Sequence, residues 1–278
     1  MTFNVKFPHG REVAALGQGS WHLGQGRRPR DVEERAMRTG LDLGLTLVDT
    51  AEMYGNGLSE SHIGRAVAGR RDEVFLVSKV LPMNATRAGI RKALDASLAR
   101  LGTDRLDLYL LHWQDGRTDL AEVVSTFEEL TAAGKILAWG VSNFDVADME
   151  DLFRVPGGDR CAANQVLYNL GSRGIEFALL PWCARHGVAT MAYTPVGSGR
   201  LARDATLAKI GRTHGVSPTA VALAALLRHG VIAIPESGDP DHVAANAKAQ
   251  ALALSPEELR AVDAAFPPPD RKRPLDIL

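Results

Sequence analysis

Short apolar runs alternate with amphipathic stretches along the whole chain. In the stretch at 86–101, Ile90, Leu94 and Leu98 recur at the spacing of one helix face, and Gly102 follows as a helix stop. The apolar runs are short enough for buried strands, and they fall at 16–20, 46–48, 74–78, 106–111, 136–141, 162–166, 189–193 and 231–234. Eight strands alternating with helices predict an α/β fold, a parallel (β/α)8 barrel of the TIM type.

The segments between these runs carry signals for helix ends. We expect helices at 31–43, 59–68, 86–101, 173–186, 217–229 and 240–249, two more starting near 119 and 145, and a last one from 255. The expected cap residues are Asp31, Asp119 with Glu122, Asp145, and Ser255 with Glu258. At the N-terminus, residues 3–7 and 12–16 flank Pro8-His9-Gly10 and predict a β-hairpin. No linker interrupts the pattern, so we expect a single domain over residues 1–278.

An open, doubly wound sheet is the alternative to the barrel. Such a sheet usually carries a glycine-rich turn after an early strand, and this chain has no GxGxxG sequence. The barrel is therefore the preferred fold. In a barrel of this kind the active site lies at the C-terminal ends of the strands.

Four polar residues stand at the ends of consecutive predicted strands. Asp49 and Tyr54 leave the second strand, Lys79 ends the third and His112 ends the fourth. A lysine at the inner end of a buried strand needs a partner, and Asp49 on the adjacent strand is placed to supply it. A phenol has a pKa of about 10, and a neighbouring ammonium favours its phenolate. The group therefore suits a tyrosine that donates a proton while a carbonyl is reduced.

Composition and charge narrow the classes of function. The chain has 278 residues, of which 45% are hydrophobic and 23% charged, and its net charge is −1. This balance points to no nucleic-acid partner, and no apolar run of about 18 residues is present that would span a membrane. Cys161 and Cys183 form no CxxC motif, and we expect them to be reduced, buried thiols. With no signal-peptide pattern at the N-terminus, the expected location is the cytoplasm.

Longer motifs, in order along essentially the whole chain, resemble the aldo-keto reductases. They are Val48-Asp49-Thr50-Ala51-x-x-Tyr54-Gly55, Leu76-Val77-Ser78-Lys79, Asp107-Leu108-Tyr109-Leu110-Leu111-His112-Trp113, Trp139-Gly140-Val141-Ser142-Asn143-Phe144, Asn164-Gln165-Val166-x-Tyr168-Asn169 and Met191-Ala192-Tyr193-Thr194-Pro195. The chain looks most similar to bacterial members that end in a short Phe-Pro-Pro-Pro tail and reduce small aldehydes such as methylglyoxal. The resemblance implies an NAD(P)H-dependent oxidoreductase that converts aldehydes or ketones to alcohols, with no obligate protein partner.

The resemblance assigns the four strand-end residues to catalysis. Tyr54 matches the general acid of the family, Lys79 the cation that lowers the pKa of that tyrosine, and Asp49 the carboxylate paired with the lysine. His112 matches the histidine that orients the substrate carbonyl. The pocket for the carbonyl substrate is expected to be shaped by Trp21, Tyr54, His112 and Trp113.

The resemblance also implies a cofactor site. Ser142, Asn143 and Gln165 match side chains that hold the nicotinamide carboxamide, and Tyr193 matches the aromatic ring stacked on the nicotinamide. The loop that follows the pyrophosphate is expected to comprise Thr194, Pro195, Val196, Gly197, Ser198, Gly199 and Leu201, where the glycines let backbone N–H groups approach the phosphates. The remaining expected cofactor residues are Gly19, Ser20, Trp21, Asp49, Pro235, Glu236, Ser237, Gly238, His242 and Asn246.

One stretch departs from the family pattern. Glu236 stands where the family usually has a lysine, and His242 where it has an arginine, and those cations bind the 2′-phosphate of NADP. A glutamate repels that phosphate and is suited instead to a free ribose 2′-hydroxyl, as in NAD sites on other folds, while histidine is mostly neutral at pH 7. NADP(H), the default of the family, is the first expectation for the cofactor, and NAD(H) is the alternative.

Two other functions fit part of the pattern. A binding module that senses bound cofactor would show little turnover and would keep a stable protein partner, and no segment of the sequence points to such a partner. An aldolase would use Lys79 as a Schiff base, but this leaves Tyr54, Asn143 and Tyr193 without a role. No metal is expected, because the eight histidines show no HxxxH spacing.

Overall fold

The computed structural model of the protein describes residues 4–7 and 10–278, and a small hairpin comes first. Strand β1 (Asn4–Lys6) pairs antiparallel with β2 (Glu12–Ala14). Three residues of the predicted hairpin, Phe3, Pro8 and His9, lie outside the described residues. The prediction of an N-terminal hairpin is confirmed for the part that the structure describes.

A closed ring of parallel strands follows the hairpin. Within the described residues, eight strands form one sheet in chain order: β3 (Gln18–Gly19), β4 (Leu47–Asp49), β5 (Phe75–Val80), β6 (Leu108–Leu111), β7 (Trp139–Ser142), β8 (Ala163–Leu167), β9 (Ala189–Tyr193) and β10 (Ile232–Ala233). Parallel bridges from Leu16 to Ala233 and from Gly19 to Glu236 join the first of these strands to the last. The predicted (β/α)8 barrel is thereby confirmed.

Helices surround the strands. Over residues 10–278 they are α1 (Arg30–Asp42), α2 (Leu58–Ala66), α3 (Arg87–Leu101), α4 (Leu120–Ala132), α5 (Val146–Arg154), α6 (Leu179–His186), α7 (Ala205–His214), α8 (Pro218–Leu227), α9 (Pro240–Ala247) and α10 (Pro256–Ala265). The sequence-based expectation omits α7, although the Asp204 side chain caps its start and Gly215 ends it with a φ of 64°. The helix expected at 173–186 begins only at Leu179, because residues 174–176 form a separate 3-10 turn.

The expected helix caps are partly correct. Asp145 and Ser255 each form a capping box, with Asp148 and Glu258 respectively. Asp31 is not a cap: it lies in the first turn of α1, which begins at Arg30. Asp119 accepts hydrogen bonds from the N–H groups of residues 121 and 122, but the predicted box does not close. The Glu122 carboxylate instead accepts a hydrogen bond from the N–H of residue 87, at the start of α3, and so links two neighbouring helices.

The hairpin covers the N-terminal end of the barrel. Phe7 and Val13 are buried in a cluster with Leu47, Phe75 and Leu108, at or near the starts of their strands. A guanidinium on the same hairpin, that of residue 11, pairs with the fully buried carboxylate of residue 107 at the barrel wall. With this end filled by side chains, the opposite, C-terminal end is left for a binding site.

Both cysteines are buried free thiols, as the sequence indicated. Burial raises the pKa of Cys161 to about 12 and that of Cys183 to about 11, so neither is a reactive thiolate near neutral pH. Across the described residues, no helix has the length and apolar character needed to cross a membrane.

Candidate active site

A buried lysine joins two strands and a loop at the C-terminal end of the barrel. Lys79 lies in β5, which continues to Val80, one residue beyond the strand end predicted at Lys79. Val77 pairs with Asp49 of β4, and side chains two residues apart on a strand point to the same face. The Lys79 ammonium is therefore carried to the Asp49 carboxylate, and the Nζ–Oδ2 distance is 2.7 Å.

The ammonium group of Lys79 makes three hydrogen bonds. It donates to Asp49 Oδ2, to the Thr50 carbonyl oxygen at 2.9 Å and to the Tyr54 hydroxyl at 3.0 Å. Three donors with three acceptors satisfy the group completely, although the lysine side chain is fully buried. The other carboxylate oxygen of Asp49 accepts a hydrogen bond of 2.7 Å from Gln165 Nε2. Gln165, expected to hold the cofactor, thus also fixes the orientation of Asp49.

Tyr54 reaches this lysine from a tight loop. The residue begins a one-turn 3-10 helix, Tyr54–Gly57, in which Asn56 has a φ of 52° and Gly57 a φ of 86°. The φ of Gly57 is one that residues with a side chain rarely adopt, so this turn favours glycine there. This loop brings the phenol over Lys79, with 4.7 Å between Nζ and the ring centroid.

The surroundings keep Tyr54 protonated. Burial raises the pKa of Tyr54 above its usual value of 10.0, the charge of Lys79 acts in the opposite direction, and Asp49 adds to the increase. Burial acts to lower the pKa of Lys79, but Asp49 and Tyr54 outweigh it and hold that pKa above its usual value. Lys79 thus acts on the Tyr54 pKa in the predicted direction, but burial and Asp49 outweigh it in the absence of bound ligands. A protonated phenol beside a charged ammonium suits proton donation, because the lysine stabilises the phenolate left behind.

His112 faces Tyr54 as a neutral imidazole. It follows β6 directly, and its ring meets the ring of Tyr54 edge to face with 5.8 Å between centroids. Burial and the nearby charge of Lys79 lower the pKa of His112 to about 2. Its Nδ1 is buried and has no hydrogen-bond partner among the described residues. A neutral ring in this position is suited to a hydrogen bond with a carbonyl oxygen rather than to carrying charge.

A chain of hydrogen-bonded polar side chains lines the cavity next to Asp49 and His112. Ser142 donates to the main-chain oxygen of residue 165 at 2.8 Å. Asn143, with a φ of 61°, donates to the main-chain oxygen of His112 and accepts a hydrogen bond of 2.9 Å from the Tyr193 hydroxyl. The amide of Asn143 is thus locked between β6 and β9. Left-handed backbone in a residue other than glycine is costly and is often found at functional sites.

The loop after β9 also contains residues with left-handed backbone. Thr194 and Ser198 have φ values of 52° and 55°, and Gly199 has a φ of 83°. Residues 197–203 form a 3-10 turn at the cavity edge. The N–H groups of Gly197 and Gly199, which were expected to approach the phosphates, instead donate to the main-chain oxygens of Thr194 and Val196.

These residues surround one large cavity of about 870 Å³. The expected site residues on its wall are Gly19, Ser20, Trp21, Asp49, Tyr54, His112, Trp113, Ser142, Asn143, Gln165, Tyr193, Thr194, Pro195, Val196, Ser198, Gly199, Glu236, Ser237, His242 and Asn246. Lys79 lies behind Asp49 and Tyr54, and Gly197, Leu201, Pro235 and Gly238 are set back from the wall. Sequence reasoning missed several wall residues, among them His22, Arg27, Met53, Gln114 and Thr219.

His22 was missed because it contacts Glu236 where the first and last strands of the barrel meet, far away in the sequence. Its backbone N–H lies 3.2 Å from Glu236 Oε2, and its ring Nδ1 lies 3.0 Å from the same oxygen. The imidazole also stacks on Trp21, with 4.5 Å between ring centroids. Glu236 is therefore tethered to the loop after β3. The two residues are 214 positions apart, so no local sequence pattern signals the pair.

The C-terminal tail also reaches the cavity. Ile277 and Leu278 line it, and the N–H of Leu278 lies 3.4 Å from the Tyr193 hydroxyl. The tail therefore contributes to the rim of the pocket, next to Tyr193. Over residues 4–7 and 10–278, no group of three His, Cys, Asp or Glu side chains is placed to hold a metal ion.

Comparison with known proteins agrees with this geometry. Residues 15–266 match the model of the aldo/keto reductase family. The chain is 47% identical to methylglyoxal reductase YeaE of Escherichia coli K12, over 99% of this chain and 98% of that protein. It is 30% identical to methylglyoxal reductase DkgB of E. coli O157:H7, over 91% and 92%. A crystal structure of an aldo/keto reductase from Klebsiella pneumoniae in complex with NADP and acetate superposes with a TM-score of 0.97, at 45% identity over all of both chains. The chain therefore belongs to the aldo-keto reductase family of oxidoreductases, as its motifs indicated.

Proposed function

We propose that this enzyme reduces small aldehydes and α-dicarbonyls, such as methylglyoxal, to alcohols with NADPH. The observation that carries the proposal is the hydrogen bond between the buried Lys79 ammonium and the protonated Tyr54, beside the neutral His112 at a cavity wall. The relatives support the choice of substrate and cofactor, since two are methylglyoxal reductases and one structure contains NADP.

The residues on the cavity wall fit a nicotinamide nucleotide. The volume of about 870 Å³ lies within the usual range for cofactor pockets, roughly 300–1,000 Å³. Ser142, Asn143, Gln165 and Tyr193 all lie on this wall and are joined by hydrogen bonds, from Asn143 Nδ2 to Ser142 Oγ, from Ser142 Oγ to the main-chain oxygen of Gln165 and from the Tyr193 hydroxyl to Asn143 Oδ1. The loop after β9 adds Thr194, Ser198 and Gly199 to the same wall. NADPH, when bound, supplies the hydride that reduces the carbonyl carbon.

The proposed mechanism assigns the proton to Tyr54 Oη. As the carbonyl carbon is reduced, its oxygen becomes basic and takes this proton, and solvent later restores it. The Lys79 ammonium, 3.0 Å from Oη, stabilises the resulting phenolate, and Asp49 keeps that ammonium charged and in place. Neutral His112 gives the carbonyl oxygen a second polar contact, which orients the substrate toward Tyr54.

A Schiff-base role for Lys79 is disfavoured by the same contacts. A lysine nucleophile must be neutral, whereas the pKa of Lys79 is raised and all three of its protons are engaged. The site therefore favours the reductase over the aldolase, and the cofactor-sensing module gains no support from the described contacts.

The proposal is tested by following cofactor oxidation with methylglyoxal, using NADPH and NADH side by side. We expect turnover with NADPH, and a kcat/KM for NADPH above that for NADH. No turnover with either cofactor on methylglyoxal and other small aldehydes, despite tight cofactor binding, would contradict the proposed substrate class.

Replacing Glu236 by lysine is expected to shift cofactor preference further toward NADPH. The Glu236 carboxylate lies on the cavity wall, where its charge opposes a bound phosphate. Glu236→Lys replaces this charge by an attractive one, and we expect the NADPH-to-NADH ratio of kcat/KM to rise about tenfold, the effect of roughly 1.4 kcal/mol. Asp241→Lys is the control, because it makes the same change of charge on an exposed residue that does not line the cavity. An unchanged ratio in Glu236→Lys, or an equal shift in both variants, would contradict this placement of Glu236.

A further inference from the structure

The cavity wall carries a single permanent cation within the described residues. Among the side chains that line the cavity, Arg27 is the only lysine or arginine. It is exposed, and it makes no ion pair or side-chain hydrogen bond with another described residue. Arg200, near the strained loop after β9, donates to the main-chain oxygen of Gly197 and is set back from the wall. Arg27 is therefore a cation in the cavity without a partner in the described part of the chain.

The loop that carries Arg27 is docked on the segment after β10. Its next residue, Arg28, pairs with Asp239 at 3.2 Å. A Cβ atom placed on Gly238 would lie 3.3 Å from the Arg28 side chain and 3.1 Å from that of Glu33, so the two segments are in close contact. Glu33 in turn accepts a hydrogen bond of 2.8 Å from the N–H of Gly24, which holds the loop to α1. These contacts place the backbone of Arg27 beside residues 236–242.

The wall near Arg27 is polar. It is suited to bind an anion because hydrogen bonds to the Glu236 carboxylate offset the negative charge of that group. Glu236 receives its hydrogen bonds from His22, on the same loop as Arg27. Ser237, His242 and Asn246 line the neighbouring wall with polar groups. The loop after β3 therefore holds the acidic group and presents a free guanidinium at the same time.

We propose that Arg27 binds the adenosine 2′-phosphate of NADPH and thereby determines the preference for NADPH over NADH. The inference rests on the proposed use of NADPH. A guanidinium matches the geometry of phosphate oxygens through paired N–H donors, and this pairing is stronger than a hydrogen bond between neutral groups. NADH lacks the 2′-phosphate, so it gains nothing from Arg27. The loop after β3 thus supplies the positive charge that the segment after β10 lacks.

The test measures binding without turnover. Titration calorimetry would compare adenosine 2′,5′-bisphosphate with 5′-AMP, and fluorescence quenching would compare NADPH with NADH. For Arg27→Ala we expect the Kd of adenosine 2′,5′-bisphosphate and of NADPH to rise about tenfold or more, and the Kd of 5′-AMP and of NADH to change less than about twofold. Arg27→Lys should fall between the natural protein and the alanine variant. The matched control is Arg30→Ala, which removes the same charge at the start of α1, away from the cavity wall.

Three outcomes would overturn the inference. Equal weakening of NADPH and NADH in Arg27→Ala would assign Arg27 to the pyrophosphate, which both cofactors carry. Unchanged NADPH binding in Arg27→Ala would remove it from the cofactor site. An equal effect of Arg30→Ala would indicate general electrostatics rather than contact. Failure of the proposed function is separate, because it would appear as absent methylglyoxal turnover in the natural protein, whatever the effect of Arg27→Ala on binding.

Discussion

Tyr54→Phe is expected to lower kcat for carbonyl reduction by about 10²–10⁴-fold, the usual contribution of a general acid. The substitution removes one oxygen atom and leaves the ring, so the shape of the cavity wall is preserved. Cofactor binding should change less than about twofold, because the phenol proton acts on the substrate oxygen. The measurement is steady-state turnover of methylglyoxal with NADPH, together with the Kd of NADPH.

The chain provides a matched control for this substitution. Tyr109, in β6, is fully buried and its hydroxyl has no hydrogen-bond partner among the described residues. Tyr109→Phe therefore removes the same atom from a tyrosine that does not line the cavity, and we expect kcat to be unchanged and stability to be equal or higher. Near-normal turnover in Tyr54→Phe, or an equal loss in Tyr109→Phe, would refute Tyr54 as the proton donor.

Lys79→Met is expected to abolish turnover and to destabilise the barrel. The variant leaves the buried Asp49 carboxylate without its cationic partner, and breaking a buried pair in this way costs about 3–5 kcal/mol in the free energy of unfolding. It also removes the charge that stabilises the Tyr54 phenolate, so kcat should fall at least about 10²-fold. Urea unfolding and methylglyoxal turnover measure the two effects separately.

A second variant separates stability from catalysis. Asp49→Asn combined with Lys79→Met removes both charges, and Gln165 can still bond to the residue at 49. We expect most of the lost stability to return while turnover stays low, because an uncharged pair is tolerated inside a protein but cannot stabilise a phenolate. Normal kcat in Lys79→Met, or recovery of kcat in the double variant, would contradict the role of the ammonium group.

The electrostatics of Tyr54 illustrate where reasoning from residue types is insufficient. The sequence places a tyrosine near a lysine, and this proximity alone predicts a lowered phenol pKa. The direction of the net shift depends on how deeply the phenol is buried and on the position of Asp49, and both of these raise the pKa. Desolvation is set by the whole surrounding structure, so a local motif cannot give its magnitude.

The cavity wall formed by the segments after β3 and β10 shows the same limitation. Glu236 and His242 were recognised in the sequence as departures from the family pattern, but His22 and Arg27 were not. Both lie on the loop after β3, and this loop meets the segment after β10 through His22 and Arg28 only because the barrel closes between those strands. The two segments are more than 200 residues apart in the chain, so no local sequence pattern indicates that they are in contact.

By itself the sequence determined the barrel and the four polar residues, Asp49, Tyr54, Lys79 and His112, that meet at its C-terminal end. Alternating apolar runs and amphipathic stretches define strands and helices locally, and polar residues at strand ends converge in any barrel because its strands run parallel. Only the tertiary structure decided how those residues are connected. The bond from Gln165 to Asp49, the tether of Glu236 to His22 and the approach of Leu278 to Tyr193 all join distant segments. Such contacts depend on burial and on atomic positions that are correct to within a few tenths of an ångström. Both are set by packing of the whole chain rather than by neighbouring residues.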